Sequence, residues 1–71
     1  MMSSTTVARV TTITARSPEG FDAAVREGIA RSHATLRNVS GAWIKEQKVE
    51  CSDGEITSYQ VVLEVTFVLD D

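Results

Sequence analysis

The sequence predicts an α+β domain with the element order β-α-β-β, in which one helix packs against a three-stranded antiparallel sheet. Three patterns support this. A stretch rich in Val, Thr and Ile comes first, apolar residues at helical spacing follow, and two strand-like segments then flank an Asp-Gly pair. Because 71 residues are enough for one domain only, we assign residues 1–71 to a single domain.

The first two elements are a strand and a helix. Residues 5–15 carry the β-branched side chains typical of a strand. Ser17 is a favoured N-cap residue and Pro18 suits the first helical position, so we expect the helix to begin there. It should end near residues 37–38. Apolar and small residues recur at helical spacing and should let the helix lie close to the sheet; they are Phe21, Ala24, Val25, Gly28, Ile29, Ser32 and Leu36.

The last two elements form a hairpin. We expect strands over residues 40–51 and 56–69, joined at Asp53-Gly54, which is a strong signal for a tight turn. Every second residue of the third strand is apolar, so this side should face the helix. These apolar residues are Tyr59, Val61, Leu63, Val65, Phe67 and Leu69.

The other side of the sheet is only partly polar. Under strict strand alternation it carries Gly41, Trp43, Lys45, Gln47 and Val49 of the second strand. Val62 and Val68 of the third strand also point to this side. A single chain would leave this surface in water and the sheet edges unpaired. The sequence therefore predicts a homo-oligomer.

The small size of the chain supports the same prediction. A domain of this length gains only about 3–5 kcal/mol from its own core and usually needs a further source of stability. Cys51 is the only cysteine, which excludes an internal disulfide. Cys51 and His33 together are too few for a structural zinc site, which takes about four ligands. Association of identical chains is the remaining source.

Charge and hydropathy exclude two classes of partner. The net charge is −3 and the seven basic residues are scattered, whereas a nucleic-acid-binding protein needs clustered Lys and Arg. No segment has the length and composition of a signal peptide or a membrane span. We therefore expect a cytoplasmic protein that binds neither nucleic acid nor membranes and keeps its thiol reduced.

The residue types that carry out catalysis do not form a recognisable pattern. His33 has no Ser or Asp at relay spacing and is expected to be solvated, while Cys51 at a strand end is expected to be a small packing residue. The carboxylates match neither an EF-hand nor a paired acid/base site, and the four glycines form no phosphate loop. The sequence therefore predicts no catalytic residue, no metal site and no enzyme.

A binding site can be built from Trp43 and Gln60. An indole stacks on flat rings, and a carboxamide makes in-plane hydrogen bonds to the polar edge of such a ring. Gln60 lies on the strand that faces Trp43 across the hairpin. The pair therefore suits a flat heteroaromatic ligand. The alternative is that Trp43 only fills a subunit interface, where tryptophan is enriched.

Two long segments resemble the dodecins. They are "RSPEGFDAAVREGIARSHATLRNV" and "YQVVLEVTFVLDD", and the resemblance extends over residues 8–71. Dodecins are small flavin-binding proteins of β-α-β-β fold that assemble as hollow twelve-subunit shells. The resemblance implies a homododecamer that stores or sequesters riboflavin or FMN without turnover.

The resemblance also implies site residues. In the family, a tryptophan of the second strand stacks on the flavin ring and a glutamine of the third strand binds its polar edge. Gln60, in "SYQVV", matches that glutamine, and Glu46 matches an acidic position near the ribityl chain. In "NVSGAW", Gly41 occupies the stacking position and Trp43 follows two residues later on the same side.

This shift leaves two interpretations open. Either Trp43 closes a flavin pocket in which Gly41 makes room for the ring, or the stacking platform is lost. In the second case the protein is a flavin-free, dodecin-like assembly that binds cations or another small ligand.

Overall fold

The computed structural model of the chain describes residues 5–69. The ends of the predicted domain, residues 1–4 and 70–71, lie outside these described residues. The elements follow the order β-α-β-β and the three strands form one antiparallel sheet with the order β1-β3-β2, which confirms the predicted fold class. The elements are β1 (Ala8–Ser17), α1 (Phe21–Leu36), β2 (Val39–Ser52) and β3 (Glu55–Val68).

The central strand β3 supplies most of the core. Val61, Leu63 and Val65 are fully buried beneath α1, together with Ala24 of the helix. This confirms the side of β3 that the alternation assigned to the helix. Apolar side chains from the other three elements pack around this centre; they are Ile13, Ala15, Phe21, Val25, Ile29 and Val39.

The helix approaches the sheet closely through a stripe of small residues. Ala24, Gly28 and Ser32 are the buried residues of α1, as the spacing predicted. At Gly28 an added Cβ would lie 3.1 Å from Leu63 Cδ1 and 3.2 Å from Ala15 Cβ. These distances are tighter than ordinary van der Waals contact, so the close packing depends on glycine at this position.

The predicted helix start at Ser17 and Pro18 is wrong. Ser17 is the last residue of β1 and pairs with Tyr59, and the helix begins at Phe21 after an N-cap at Gly20. Because the backbone of Ser17 belongs to the sheet, its hydroxyl closes a local turn instead. Ser17 Oγ accepts a hydrogen bond from the Glu19 amide at 3.1 Å.

The predicted end of the helix is confirmed. The last helical residue is Leu36, and the Arg37 amide donates to the His33 carbonyl oxygen at 3.0 Å. Arg37 and Asn38 then take φ values of 64° and 52°. This left-handed backbone turns the chain out of the helix and into β2.

The hairpin turn is also confirmed, and the hairpin is longer than the helix. Asp53 and Gly54 have φ values of 53° and 79°, and positive φ at both central residues is what a type I′ turn requires. At about 3.3 Å per residue a 14-residue strand is about twice as long as a 16-residue helix. Phe21 at the helix start contacts the Tyr59 ring edge-on, with centroids 5.1 Å apart. The hairpin end, residues 50–58, extends past this contact.

Many large apolar side chains remain exposed on the single chain. Their exposed fractions run from 37% for Val49 to 63% for Trp43, and they occur on every strand and both sides of the sheet. Within residues 5–69 the single helix is too short and too polar to cross a membrane. The exposed residues of this kind are Val7, Val10, Trp43, Ile44, Val49, Ile56 and Leu69.

Candidate functional site

A β-bulge at Lys45 decides which residues of β2 share a side of the sheet. Ile44 pairs with Leu63 and Glu46 pairs with Val62, so Lys45 is an extra residue in β2. A one-residue shift moves every following side chain to the other side. Between residues 41 and 50 the bulge therefore divides β2 into two parts with opposite alternation, and further register shifts lie at either end of this stretch.

This bulge corrects part of the sequence interpretation. Gln47 and Val49 pair with Val61 and Tyr59, which face α1, so the prediction that they share a side with Trp43 is wrong. Strict alternation failed because it assumed a regular strand. The positions that the bulge brings to the side of Trp43 are Glu46, Lys48 and Glu50.

All four predicted site residues lie on the side of the sheet away from α1, which we call the uncovered face. Gly41, Trp43 and Glu46 come from β2, and Gln60 comes from β3. The charged residues Lys48 and Glu64 occupy the same face, and Lys45 reaches it from the bulge because its Nζ lies 3.8 Å from Glu64 Oε2. The face thus combines one indole with side chains of both charges.

Trp43 is accessible on this face. Its side chain lies opposite Glu64, and the residue is 63% exposed. An added Cβ at Gly41 would meet no atom of the described residues within 4 Å, so the surface beside the indole is open. A flat ring can therefore approach Trp43 from the side of Gly41.

Gln60 lines a cavity of about 260 Å³ on the uncovered face, together with Glu46, Lys48 and Val62. Gln47, which lies between Glu46 and Lys48 in β2, also borders this cavity although it pairs with Val61 on the side of α1. Gln60 pairs directly with Lys48. The ammonium group of Lys48 also lies 3.4 Å from Glu50 Oε2, but this exposed ion pair leaves the charge available because such pairs are weak. The cavity thus offers amide, ammonium and carboxylate groups.

One chain does not bring Trp43 into contact with Gln60. Trp43 pairs with Glu64, four residues along β3 from Gln60, and this separation is about 13 Å at strand spacing. The indole is not part of the cavity that Gln60 lines. A ligand that touches both groups must span this distance or lie between two chains.

Arg16 is a site residue that the sequence interpretation missed. It pairs with Gln60 across β1 and β3, and its Nη2 and Nε donate to Gln60 Oε1 at 2.6 and 3.2 Å. The predicted first strand ended at residue 15, which left Arg16 in the loop. A strand two residues longer would have included Arg16, but its pairing with Gln60 follows only from the register of β1 against β3.

Ser58 lies on the uncovered face, whereas His33 and Cys51, the two residues considered for catalysis, lie outside the site. Ser58 Oγ is buried and makes no hydrogen bond to any described residue. His33 is exposed, as expected, whereas the expectation that Cys51 is a packing residue is wrong because it is exposed. Within residues 5–69 no three His, Cys, Asp or Glu residues cluster in a way that could hold a metal ion.

These groups favour a particular kind of ligand. The indole offers a stacking surface, while Gln60 and Lys48 offer N–H donors. The ligand that fits is a flat heteroaromatic ring with carbonyl or ring-nitrogen acceptors on one edge. Nothing in this arrangement pairs a nucleophile with a base.

Comparison with known proteins shows consistent similarity. The family model described as Dodecin matches residues 7–70. A curated relative, dodecin from Thermus thermophilus, is 38% identical over 55 residues, which cover 78% of this chain and 80% of the relative. The solved structure of dodecin from Streptomyces davaonensis is 41% identical, covers 96% of this chain and 100% of its own, and superposes with a TM-score of 0.89.

The description of a more distant structure names a ligand. It is the calcium-chelating immunodominant antigen from Mycobacterium tuberculosis, named calcium dodecin and described with a novel calcium-binding site. It is 28% identical to this chain, covers 90% of this chain and 91% of its own, and has a TM-score of 0.77. One protein of this fold is therefore described as binding calcium.

Proposed function

Because the chain belongs to the dodecin family, we propose that it binds a flavin, riboflavin or FMN, and sequesters it without turnover. The observation that carries the proposal is the exposed indole of Trp43 on the same uncovered face as Gln60 and Glu46. An aromatic surface and an amide on one sheet face match the two parts of a flavin ring, its flat apolar body and its polar pyrimidine edge.

The residues present fit such a ring. Trp43 stacks on the isoalloxazine, and the open surface at Gly41 leaves room for it. The Gln60 amide donates to the pyrimidine edge, and Glu46 accepts from hydroxyls of the ribityl chain. Lys48 beside Gln60 attracts the phosphate of FMN. The ring is held away from water, and no group of the chain reacts with it.

Self-assembly into a homododecamer is part of the same proposal. Within one chain, Trp43 and Gln60 lie about 13 Å apart along the sheet. If the indole comes from one chain and the amide from another, both can contact the same ligand. Exposed apolar residues on both sides of the sheet, such as Val10 and Ile44, supply surface for subunit contacts. The dodecameric count rests on the family.

The oligomer is tested by sedimentation velocity and native mass spectrometry on the purified chain. We expect a single species with a mass close to twelve times the 7.7 kDa chain, because a lone chain would leave its uncovered face in water. The species should persist on dilution to low micromolar concentration. A folded monomer under these conditions would contradict both the assembly and an inter-subunit site.

Flavin binding is tested by titrating riboflavin and FMN with apo-protein of known oligomeric mass. Stacking on an indole quenches flavin emission, so we expect saturable quenching with no more than two chains per flavin. Free tryptophan at the same indole concentration serves as the control for collisional quenching. Flavin emission that stays unchanged at micromolar protein would contradict the proposal.

A second candidate is a flavin-free assembly that binds cations. The calcium description of the Mycobacterium tuberculosis relative favours it, and Glu46, Glu50 and Glu64 lie on or beside the uncovered face. However, the described residues of one chain bring no three such groups together, so the cation site would have to form between chains. Calorimetric titration with Ca²⁺ separates the candidates: stoichiometric heat without flavin quenching supports the second.

We also infer a cytoplasmic location. Cys51 is exposed and has no second cysteine in the chain to pair with. An exposed thiol stays reduced in the cytoplasm but oxidises in a secretory compartment. Detection of the protein outside the cytoplasmic fraction of its cells would contradict this location.

A further inference from the structure

The guanidinium group of Arg16 is hydrogen-bonded to Gln60, the side chain on which the flavin proposal depends. Its Nη2 and Nε both donate to Gln60 Oε1, at 2.6 and 3.2 Å. The two residues also pair directly in the sheet, so the backbone keeps their side chains next to each other on the uncovered face. Arg16 thus contacts the amide, and it does so through two donors on one oxygen.

This contact fixes the hydrogen-bonding character of Gln60. A guanidinium has only donors, so the amide must present its oxygen to Arg16, and the opposite orientation would set donor against donor. A carbonyl oxygen has two lone pairs, and the two Arg16 donors use both. Among residues 5–69 nothing accepts from Gln60 Nε2, so this NH₂ group is what the amide offers a ligand.

We propose that Arg16 is a positioning residue that sets ligand specificity, because it leaves Gln60 able to act only as a hydrogen-bond donor toward the ligand. This inference rests on the proposed flavin site and adds which groups on the edge of the ring Gln60 can bind. The ligand must present acceptors to Gln60, and an N–H on its edge gains nothing from the amide. Arg16 itself acts through Gln60 and is not assigned a contact with the ring.

The flavin ring allows a direct distinction. Its pyrimidine edge carries carbonyl oxygens on both sides of the N3–H group. A carboxamide that rotates freely pairs with a carbonyl and N3–H together, because it has both a donor and an acceptor. With its oxygen occupied by Arg16, Gln60 pairs with a carbonyl alone. Methylation of N3 therefore removes a hydrogen bond in the first case and none in the second.

The test compares lumiflavin with 3-methyllumiflavin by fluorescence titration on the assembled protein. For the wild type we expect the two dissociation constants to agree within about twofold. Arg16→Val frees the amide oxygen to accept from N3–H. Lumiflavin should then bind about tenfold more tightly than its methylated form, because one hydrogen bond in a buried site changes the dissociation constant by about that factor. Arg16→Lys, with a single donating nitrogen, should give an intermediate ratio.

Gln60→Leu is the matched control. Without the amide both ligands should weaken together and their ratio should stay near one, with or without Arg16. Arg16 is exposed in a strand, where valine is favoured, so Arg16→Val should keep the fold and the oligomeric mass.

The outcomes separate this inference from the function it rests on. Failure of the wild type to bind riboflavin, FMN and lumiflavin alike would overturn both. Tight lumiflavin binding with a tenfold loss on N3 methylation in the wild type would overturn the role of Arg16 alone. An Arg16→Val variant that binds the two ligands equally would do the same.

Discussion

Replacing Trp43 with alanine is expected to weaken flavin binding by about 5- to 150-fold. Stacking of a flat heterocyclic base on an aromatic side chain is worth about 1–3 kcal/mol, and each 1.4 kcal/mol or so is tenfold in Kd. The upper end applies if indoles from two chains enclose the ring. Because Trp43 is 63% exposed in the single chain, its removal leaves no internal cavity and the fold should remain intact.

The measurement is a titration that follows flavin emission at several protein concentrations, with the oligomeric mass determined in parallel. Trp43→Phe is the matched control. Because the smaller ring still stacks on the flavin, the Kd should rise by less than about tenfold. Ile56→Ala, an exposed apolar residue near the hairpin end, should leave the Kd unchanged. A Trp43→Ala variant that binds like the wild type would remove this residue from the site.

The same variant also distinguishes the two roles that the sequence left open for Trp43. If the residue only fills a subunit contact, alanine should shift the assembly toward smaller species and flavin binding should fall in proportion to the lost assembly. If it stacks on the ring, binding falls while the mass stays constant. The flavin proposal requires the second pattern.

The fold was predictable because its strongest signals are local. Alternating apolar residues along β3 and the Asp53-Gly54 turn both follow from strand geometry, and the structure has them in place. The small residues at Ala24, Gly28 and Ser32 marked the helix side that meets the sheet. Each of these patterns depends on residues close together in the chain, so no tertiary information was needed.

The site was less predictable because it depends on irregularities of pairing. The bulge at Lys45 places Glu46 on the uncovered face and moves Gln47 to the side of α1. The sequence around Lys45 contains no Gly or Pro that would indicate a bulge. Glu46 entered the predicted site through the resemblance to dodecins, since strict alternation would have put it on the opposite side from Trp43. Only the register of β2 against β3 shows why it belongs there.

The predicted helix start was the other source of error. Because of it, Arg16 was not recognised as a strand residue. Ser17 and Pro18 have the residue types of a helix N-terminus, but the sheet pairing of Ser17 with Tyr59 outweighs that local preference. Ending the strand early left Arg16 without a partner in the sequence interpretation. A residue that orients Gln60 could be found only once the strands were paired.

Truncating Leu63 to alanine is expected to lower the free energy of unfolding by about 2–5 kcal/mol, the largest change in stability that we expect from one substitution. Leu63 is fully buried on the central strand, and its Cδ1 is the atom nearest to where a Cβ of Gly28 would lie. Ala15 Cβ also lies close to the helix, 3.2 Å from where a Cβ of Gly28 would be, so it limits how far the helix can move inward to fill the resulting space.

Urea unfolding followed by circular dichroism measures this change, at a fixed protein concentration because assembly is coupled to folding. Ile56→Ala, on the same strand but half exposed, is the control and should cost less than about 1 kcal/mol. Since a domain of this size has only about 3–5 kcal/mol of its own, the isolated Leu63→Ala chain should be largely unfolded and should fold only on assembly. A loss below about 1 kcal/mol would show that Leu63 is not at the centre of the core.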